Sequence, residues 1–343
     1  MNEAPNSKVT LEHVAELARV SRATASRVLT ANPRVSPESR RAVERAARKL
    51  GYIPNHAARA LATGHSDAVA LVISEPTSFI FGDPFFPRLI RGISDVLAAR
   101  DKQLILLAPQ SPTDLDRLER YVAAGHSDGV LLVSLHGTHP LPGRLAARGI
   151  PIVVGGRPED ADLFTYVDID NVGGAFAAVS HLAGRGRRQI ATISGPQDTS
   201  PGRDRLIGYR SALEAEGLAL DSAIEESADF THEGGERAMQ RLLERSPTLD
   251  AVFAASDLMA AGALRSLAEA GRRVPDDVAV VGYDDDPIAA NTSPALTSVR
   301  QPIEEMGREM ARLLLDAMHA PRRVILTTEL QVRLSSGRMP EAV

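Results

Sequence analysis

Cysteine is absent from this 343-residue chain, which excludes disulfide bonds, a thiol nucleophile and cysteine-ligated zinc sites. Long hydrophobic runs are also absent, since the apolar stretch 68–73 falls far short of the roughly 18 residues of a membrane-spanning helix. The first ten residues lack the apolar core of a signal peptide, so we expect a cytoplasmic protein with no membrane span. The length predicts two or three domains, because one domain takes roughly 100–200 residues.

Positive charge is concentrated at the N-terminal end of the chain. The first 64 residues hold 11 Lys and Arg against 5 Asp and Glu, a net charge of +6, and the remainder carries −11. A basic segment beside an acidic body is typical of a polyanion binder joined to a module that does not bind the polyanion. A solvated basic helix face would give the same asymmetry, so charge alone leaves both interpretations open.

Three short helices are predicted in the basic segment. Thr10 precedes an apolar-periodic run over 11–18, Ser21 is the next N-cap residue, and Ser36 opens a third helix that stops at Gly51. Two short helices joined by a tight turn form a helix-turn-helix, whose second helix fits the major groove of B-DNA. The segment is therefore predicted to bind DNA, and the alternative is a three-helix cap with a hydrated basic face.

The second helix supplies the side chains that are expected to touch DNA. Arg22 and Arg27 suit base edges, because a guanidinium bonds the two acceptors of a guanine bidentately. The short hydroxyl groups of Ser21, Thr24 and Ser26 suit phosphate oxygens, which fix the register of a protein on the duplex.

The stretch 9–29 (VTLEHVAELARVSRATASRVL), with 32–37 (NPRVSP) and 50–55 (LGYIPN), resembles the headpiece of the lactose-repressor (LacI/GalR) family of bacterial transcription regulators. Two residues depart from the family pattern: Arg19 stands where a turn glycine is common, and Ala25 replaces a common valine. A left-handed Arg19 costs about 1 kcal/mol, which a small domain can absorb.

The resemblance implies that segment 56–64 is a hinge helix that forms on the operator and pairs with its dimer mate. Leu61 would enter the minor groove and Ala58 would lie at the helix–helix contact, although a plain linker is the alternative. The complete set of predicted DNA contacts is Thr10, Ser21, Arg22, Ala23, Thr24, Ser26, Arg27, Tyr52, Asn55, Ala58 and Leu61.

From residue 67 onward, short apolar strands alternate with amphipathic helices. This pattern predicts an α/β body of two doubly wound parallel-sheet subdomains behind the small all-α headpiece. The predicted strands are 68–73, 103–108, 129–133, 152–154, 190–193, 251–255 and 278–281. The predicted helices are 86–99, 114–124, 173–183, 205–216, 234–245 and 258–270.

The body also resembles the effector domain of the family, which is built like a periplasmic sugar-binding protein. The motifs that carry this resemblance include 83–86 (DPFF), 167–171 (VDIDN), 255–260 (ASDLMA) and 281–285 (VGYDD). It implies three chain crossovers between the subdomains, near 163–167, 292–297 and 324–327. The expected divisions are a headpiece 1–54, a hinge and linker 55–66, an N-terminal subdomain 67–164 plus 297–324, and a C-terminal subdomain 165–296 plus 325–343.

Several polar residues follow predicted strands, at the sheet edge where open α/β folds bind ligands. Carboxylates, a forked Arg and aromatic faces suit a sugar. By the resemblance, five residues match the family's effector-contacting positions, namely Arg205, Phe230, Ser256, Asp284 and Gln301, although Ser256 departs from the asparagine seen in some members. The predicted effector-binding residues are Phe85, Phe86, Asp170, Arg205, Phe230, Ser256, Asp284 and Gln301. The alternatives are an interior salt bridge between Arg205 and Asp284, and core packing of Phe85 and Phe86.

Two other features suggest chemistry less strongly. The aspartates 284–286 lack a nearby His or Glu at ligand spacing, so no metal is expected. His136 and His139 fall in a loop and are interpreted as solvated.

The sequence therefore predicts a homodimeric, allosteric repressor that binds palindromic double-stranded DNA and a small-molecule effector, with a carbohydrate favoured. No cofactor is expected. No leucine heptads follow the strand predicted at 329–334, which favours a dimer over a tetramer. The alternatives are an enzyme joined to a DNA-binding head, for which no catalytic constellation is found, and a body that docks a partner protein.

Overall fold

The computed structural model describes residues 9–29, 34–52, 65–316 and 320–337. These residues form two compact units, a headpiece and a body. Three of the predicted DNA contacts, Asn55, Ala58 and Leu61, lie outside the described residues. Within the described ranges, no helix combines the length and the apolar character that crossing a bilayer requires.

The headpiece consists of α1 (Leu11–Ala18), α2 (Arg22–Leu29) and α3 (Pro37–Leu50). Their bounds confirm the predicted helices, because the capping signals are local: Ser21 Oγ accepts from the Thr24 N–H at 3.1 Å, and Ser36 Oγ accepts from the Ser39 N–H at 3.2 Å. The helices enclose a small core of Val14, Ala15, Ala25, Val28, Val43 and Ala46.

The turn between α1 and α2 is made by a non-glycine residue in the left-handed region. Arg19 has φ 53° and ψ 43°, and its N–H donates to Glu16 O at 3.1 Å. The left-handed conformation considered for Arg19 is therefore present, and the hydrogen-bonded end of α1 holds the residue there.

The body contains two six-stranded sheets. The sheet of the N-terminal subdomain consists of β1 (Ala68–Ile73), β2 (Gln103–Leu107), β3 (Gly129–Val133), β4 (Ile152–Gly155), β5 (Tyr166–Ile169) and β11 (Arg323–Leu326). Its strands are all parallel and lie in the order β11-β5-β4-β3-β1-β2.

The sheet of the C-terminal subdomain consists of β6 (Ile190–Ser194), β7 (Glu225–Ser227), β8 (Ala251–Ala254), β9 (Ala279–Asp284), β10 (Thr297–Arg300) and β12 (Glu329–Gln331). These strands lie in the order β12-β10-β9-β8-β6-β7, and only β12 pairs antiparallel, with β10.

Helices cover both faces of each sheet, as predicted. The N-terminal subdomain holds α4 (Thr77–Gly82), α5 (Phe85–Ala98), α6 (Pro112–Tyr121), α7 (Leu141–Ala146) and α13 (Ile303–Leu315). The C-terminal subdomain holds α8 (Asn171–Gly184), α9 (Ser200–Ala215), α10 (His232–Arg245), α11 (Asp257–Glu269) and α12 (Pro287–Asn291). Helices α5 and α13 approach closely at Gly92, where an added Cβ would lie 2.0 Å from Glu304 O.

The chain crosses between the subdomains later than predicted. Strand β5 pairs with β4 (Val154↔Tyr166), so the first crossover follows Ile169 rather than 163–167. Strand β10 pairs with β9 (Val299↔Tyr283), so the second follows Arg300 rather than 292–297. The sheets therefore displace all three predicted borders: 165–169 belongs to the N-terminal subdomain, 297–300 to the C-terminal one, and 325–326, the end of β11, to the N-terminal one. The third crossover, between β11 and β12, lies close to its predicted place.

Candidate functional site

A cavity of about 470 Å³ lies in the body, lined by residues from both subdomains. Its size is within the range of roughly 300–1,000 Å³ that small-molecule sites occupy. Seven of the eight predicted effector-binding residues line it: Phe85, Phe86, Arg205, Phe230, Ser256, Asp284 and Gln301. The cavity lies beyond the carboxyl ends of strands such as β3, β4, β6 and β9, where the α/β pattern places ligands.

Arg205 is the buried cation of the cavity floor. Its Nε donates to Asn171 Oδ1 at 2.9 Å, and its Nη1 donates to Ala255 O at 2.5 Å and to Asp284 Oδ1 at 3.4 Å. The guanidinium also stacks 3.8 Å from the centroid of the Tyr283 ring. The interior Arg205–Asp284 ion pair of the alternative interpretation is present, although the guanidinium is held mainly by neutral oxygens. Effector contact by these two residues stays a prediction.

Asp284 is the last residue of β9 and has φ 107°, a conformation that non-glycine residues rarely adopt. Burial raises the pKa of Asp284 well above its usual range, and the charge of Arg205 opposes that rise. Gln301 Nε2 donates to the same Asp284 Oδ1 that faces Arg205. A strained, buried carboxyl that lines a cavity is an arrangement found most often at functional sites.

Aromatic side chains line the cavity from both subdomains. Phe85 and Phe86 meet edge to face at 5.3 Å, and Phe86 packs into the core of the N-terminal subdomain with 3% of its surface exposed. Core packing therefore describes Phe86 better than Phe85, which is only partly buried. Phe230 has φ 62°, and its ring centroid lies 5.8 Å from the Arg205 guanidinium.

Asp170 does not line the cavity, and its predicted contact with an effector stays a prediction. Asp170 is the N-cap of α8, and its Oδ1 accepts from the Gly173 N–H at 2.8 Å. Capping holds the carboxylate against the helix terminus. Its neighbours Asp168 and Asn171 line the cavity instead.

Asp83 and Asp168 are two of the cavity-lining carboxyl groups that the sequence argument missed. Asp83 Oδ1 accepts from the Phe85 N–H at 2.8 Å, and Asp168 Oδ1 accepts from the Ile169 N–H at 2.8 Å. Burial raises the pKa of each to about 6. Asp83 lies in the motif 83–86, and Asp168 lies in the motif 167–171. An acidic residue inside such a motif was the sequence signal that could have identified both as cavity residues.

The interpretation of His136 as solvated is wrong. Its Nε2 lies 2.9 Å from Glu75 Oε1, and its Nδ1 lies 2.9 Å from Asp198 Oδ2. Glu75 follows β1 and Asp198 follows β6, so the imidazole bridges the two subdomains. The hydrogen bond to Glu75, and then that to Asp198, raise the pKa of His136 to about 9 against the opposing effect of burial. At neutral pH the ring is therefore an imidazolium that donates from both nitrogens.

Two further ion pairs join the subdomains. Arg88 of α5 donates from Nη1 to Asp286 Oδ1 at 2.9 Å, and Arg157 pairs with Asp204 of α9. Together with His136 they hold the two walls of the cavity in one arrangement.

The three consecutive aspartates do not converge on one point. Asp284 faces Arg205, Asp285 pairs with Arg300 and Arg333, and Asp286 pairs with Arg88. Across the part of the chain that the structure describes, no group of three or more His, Asp or Glu side chains is placed to hold a metal ion.

The headpiece presents part of the predicted DNA-binding set on its surface. Arg22, Ala23 and Arg27 are exposed on α2, and Thr24 and Ser26 are half-buried. Arg22 Nε lies 2.6 Å from Glu12 Oε1, with 71% and 52% of the two side chains exposed, so water screens the ion pair.

The other described headpiece residues of that set have structural roles. Thr10 is the N-cap of α1, and Ser21 Oγ, predicted to contact phosphate, accepts from the Thr24 N–H. Tyr52 packs against the headpiece core. Arg22 and Arg27 are the two charged residues of α2, and both are exposed.

Comparison with known proteins identifies both units. The model of the bacterial regulatory proteins of the lacI family matches residues 10–55, and that of the periplasmic binding protein-like domain matches residues 179–336. The HTH-type transcriptional regulator CelR of Thermobifida fusca is 50% identical over 332 residues, which cover 95% of this chain and 98% of that protein. The HTH-type transcriptional repressor CytR of Escherichia coli K12 is 34% identical over 343 residues, which cover 96% and 97%.

Solved structures agree in fold. A complex of the transcriptional regulator CelR with cellobiose is 48% identical, covers 95% of this chain and 99% of its own, and superposes with a TM-score of 0.77. The lac repressor dimer bound to operator and the anti-inducer ONPF has a TM-score of 0.86 at 24% identity, with coverages of 97% and 100%.

Proposed function

The chain belongs to the lacI family of bacterial regulatory proteins, and we propose that it is a homodimeric repressor whose operator binding is controlled by a saccharide in the body cavity. It is a DNA-binding transcription regulator, as its relatives CelR and CytR are. It regulates by binding rather than by catalysis, and it acts on the chromosome in the cytoplasm.

The headpiece surface supports the DNA-binding role. Arg22 and Arg27 project from the exposed side of α2, where a helix in the major groove meets base edges. Two headpieces related by a two-fold axis require a palindromic site, because each reads one half of it.

The single observation that carries the effector role is the set of polar groups on the cavity floor. Arg205, Asp284 and Gln301 form one hydrogen-bonded group, with the rings of Phe85 and Phe230 on the same cavity. Sugar hydroxyls both donate and accept, so this combination suits a saccharide. The relative CelR holds cellobiose, which makes a disaccharide the first choice.

The test is a titration of operator DNA, obtained from a randomised-site selection, with the full chain in the presence and absence of cellobiose and other saccharides. A ligand that binds one state of the body preferentially should change operator affinity by roughly 5- to 150-fold. Asp284→Asn should abolish this response and retain effector-free DNA binding, whereas Asp276→Asn, an exposed aspartate outside the cavity, should leave it intact. A full response in Asp284→Asn would place the effector elsewhere.

A further inference from the structure

We propose that Asp83 and Asp168 restrict the effector to uncharged saccharides and exclude sugar phosphates and sugar acids. This inference rests on the saccharide-controlled function proposed above and specifies the chemical class of the effector.

Three carboxyl groups of the cavity lie near one buried guanidinium group. Asp83, Asp168 and Asp284 face the cavity, and the buried cation beside them is Arg205. Burial raises the pKa of all three carboxyl groups, and the charge of Arg205 opposes that rise in each of them, joined by Arg157 at Asp168, so the Arg205 guanidinium is shared among three carboxyl groups. His136 offers no spare charge to a ligand, since its two ring nitrogens already bond carboxylates.

Guanidinium groups recognise phosphates when their forked N–H donors are available. The three arginines that line this cavity are instead engaged by protein oxygens: Arg157 by the Asp204 carboxylate, Arg203 by Gln197 O at 3.4 Å, and Arg205 by Asn171, Ala255 and Asp284. Arg157 and Arg205 are tied to buried partners, whereas the single 3.4 Å hydrogen bond of Arg203 leaves most of its donors available. Selectivity against an anion therefore depends on repulsion from Asp83 and Asp168.

Asp83 and Asp168 offer acceptors rather than donors. Each uses Oδ1 for a backbone N–H, from Phe85 and from Ile169, and Asp168 Oδ1 also lies 3.4 Å from Asn171 Nδ2. Among the described residues, the Oδ2 atom of neither side chain has a hydrogen-bond donor, so each is free to accept a sugar hydroxyl. Such bonds to an ionised acceptor are short and strong.

The same two oxygens repel an anion. Burial raises the pKa of each carboxyl group to about 6, so both are mostly ionised at pH 7.5. A second negative charge about 4 Å away, in a partly desolvated cavity, weakens binding by at least roughly tenfold. A neutral saccharide avoids this repulsion and gains the hydrogen bonds.

The experiment is isothermal titration of the full chain at pH 7.5 with cellobiose, cellobionic acid and phosphorylated cellobiose. Cellobiose should bind at least roughly tenfold more tightly than either anion. Asp83→Asn and Asp168→Asn should narrow this ratio, and Asp276→Asn should leave it unchanged. Circular dichroism of each variant checks that the body is folded.

A second measurement uses the unmodified chain. At pH 5 Asp83 and Asp168 are mostly protonated while cellobionate stays ionised, so the ratio between cellobiose and cellobionate should fall several-fold relative to pH 7.5. The doubly substituted Asp83→Asn, Asp168→Asn chain should lack that pH dependence.

The outcomes separate the two proposals. An anionic sugar that binds as tightly as cellobiose overturns the selectivity and leaves the saccharide-controlled function standing. A chain that binds operator DNA but none of the saccharides overturns the proposed effector, and this inference with it. An unchanged ratio in both folded Asn variants overturns the assignment to these two residues.

Discussion

Asp168→Asn should stabilise the body at neutral and alkaline pH. Asp168 is 4% exposed, and burial raises its pKa from 3.8 to about 6. A carboxyl group whose folded pKa is raised contributes stability that is fully present below pH 3.8 and is lost as the pH rises through 6. The shift of about two units corresponds to roughly 3 kcal/mol at 1.36 kcal/mol per unit. An amide carries no such penalty, and its oxygen can still accept from the Ile169 N–H.

Urea denaturation of the ligand-free full chain at pH 4.5 and pH 8 measures this effect. The advantage of Asp168→Asn over the unmodified chain should grow by about 2 kcal/mol between the two pH values. Asp276→Asn replaces an exposed carboxylate and should show no comparable growth. A pH-independent difference, or a variant that is less stable at pH 8, would show that the ionised Asp168 is fully compensated and that the reasoning is wrong.

Three other substitutions have defined outcomes. Arg22→Ala should relax specificity at one base pair of each half-site and cost about 1–3 kcal/mol of operator binding, and an unchanged preference in a randomised-site selection would contradict this. His136→Ala should separate the subdomains, which X-ray scattering without effector would detect as a larger radius of gyration. The unmodified chain should show the same increase only as the pH rises through about 9, where His136 loses its proton. An unchanged radius of gyration in the variant would argue against the His136 bridge between the subdomains. Arg88→Ala leaves Asp286, 1% exposed, without its cation and should cost roughly 3–5 kcal/mol in urea denaturation, most of which Arg88→Ala with Asp286→Ala should restore if the buried charge is the cause.

The headpiece could be predicted closely because its signals are local. The caps at Ser21 and Ser36 and the apolar spacing within each helix determine where α1, α2 and α3 begin and end. The strands β5 and β10 gave no such signal, since YVDI and TSVR mix polar and apolar residues over four positions. Whether β5 and β10 belong to the N-terminal or the C-terminal sheet depends on the strand that each pairs with, and their own residues do not specify that partner.

The cavity residues, too, could be predicted only where the sequence carries a local signal. Arg205 and Asp284 follow strands and match a family pattern, so the sequence identified them. The roles of Asp83, Asp168 and His136 depend on burial and on partners far away in the chain, such as Asp198 for His136. No spacing rule contains that information.

The interleaved path of the chain constrains its synthesis. Helix α5 presents Leu89 and Ile93 to an apolar core that includes Ile303 and Met310 of α13, more than 200 residues later. The sheet of the N-terminal subdomain gains its edge strand β11 only at residues 323–326, after every long helix of the C-terminal subdomain has been made. A nascent chain must therefore carry an uncovered face of α5 while most of the body is translated, and a premature stop before residue 303 should yield a product prone to aggregation and proteolysis.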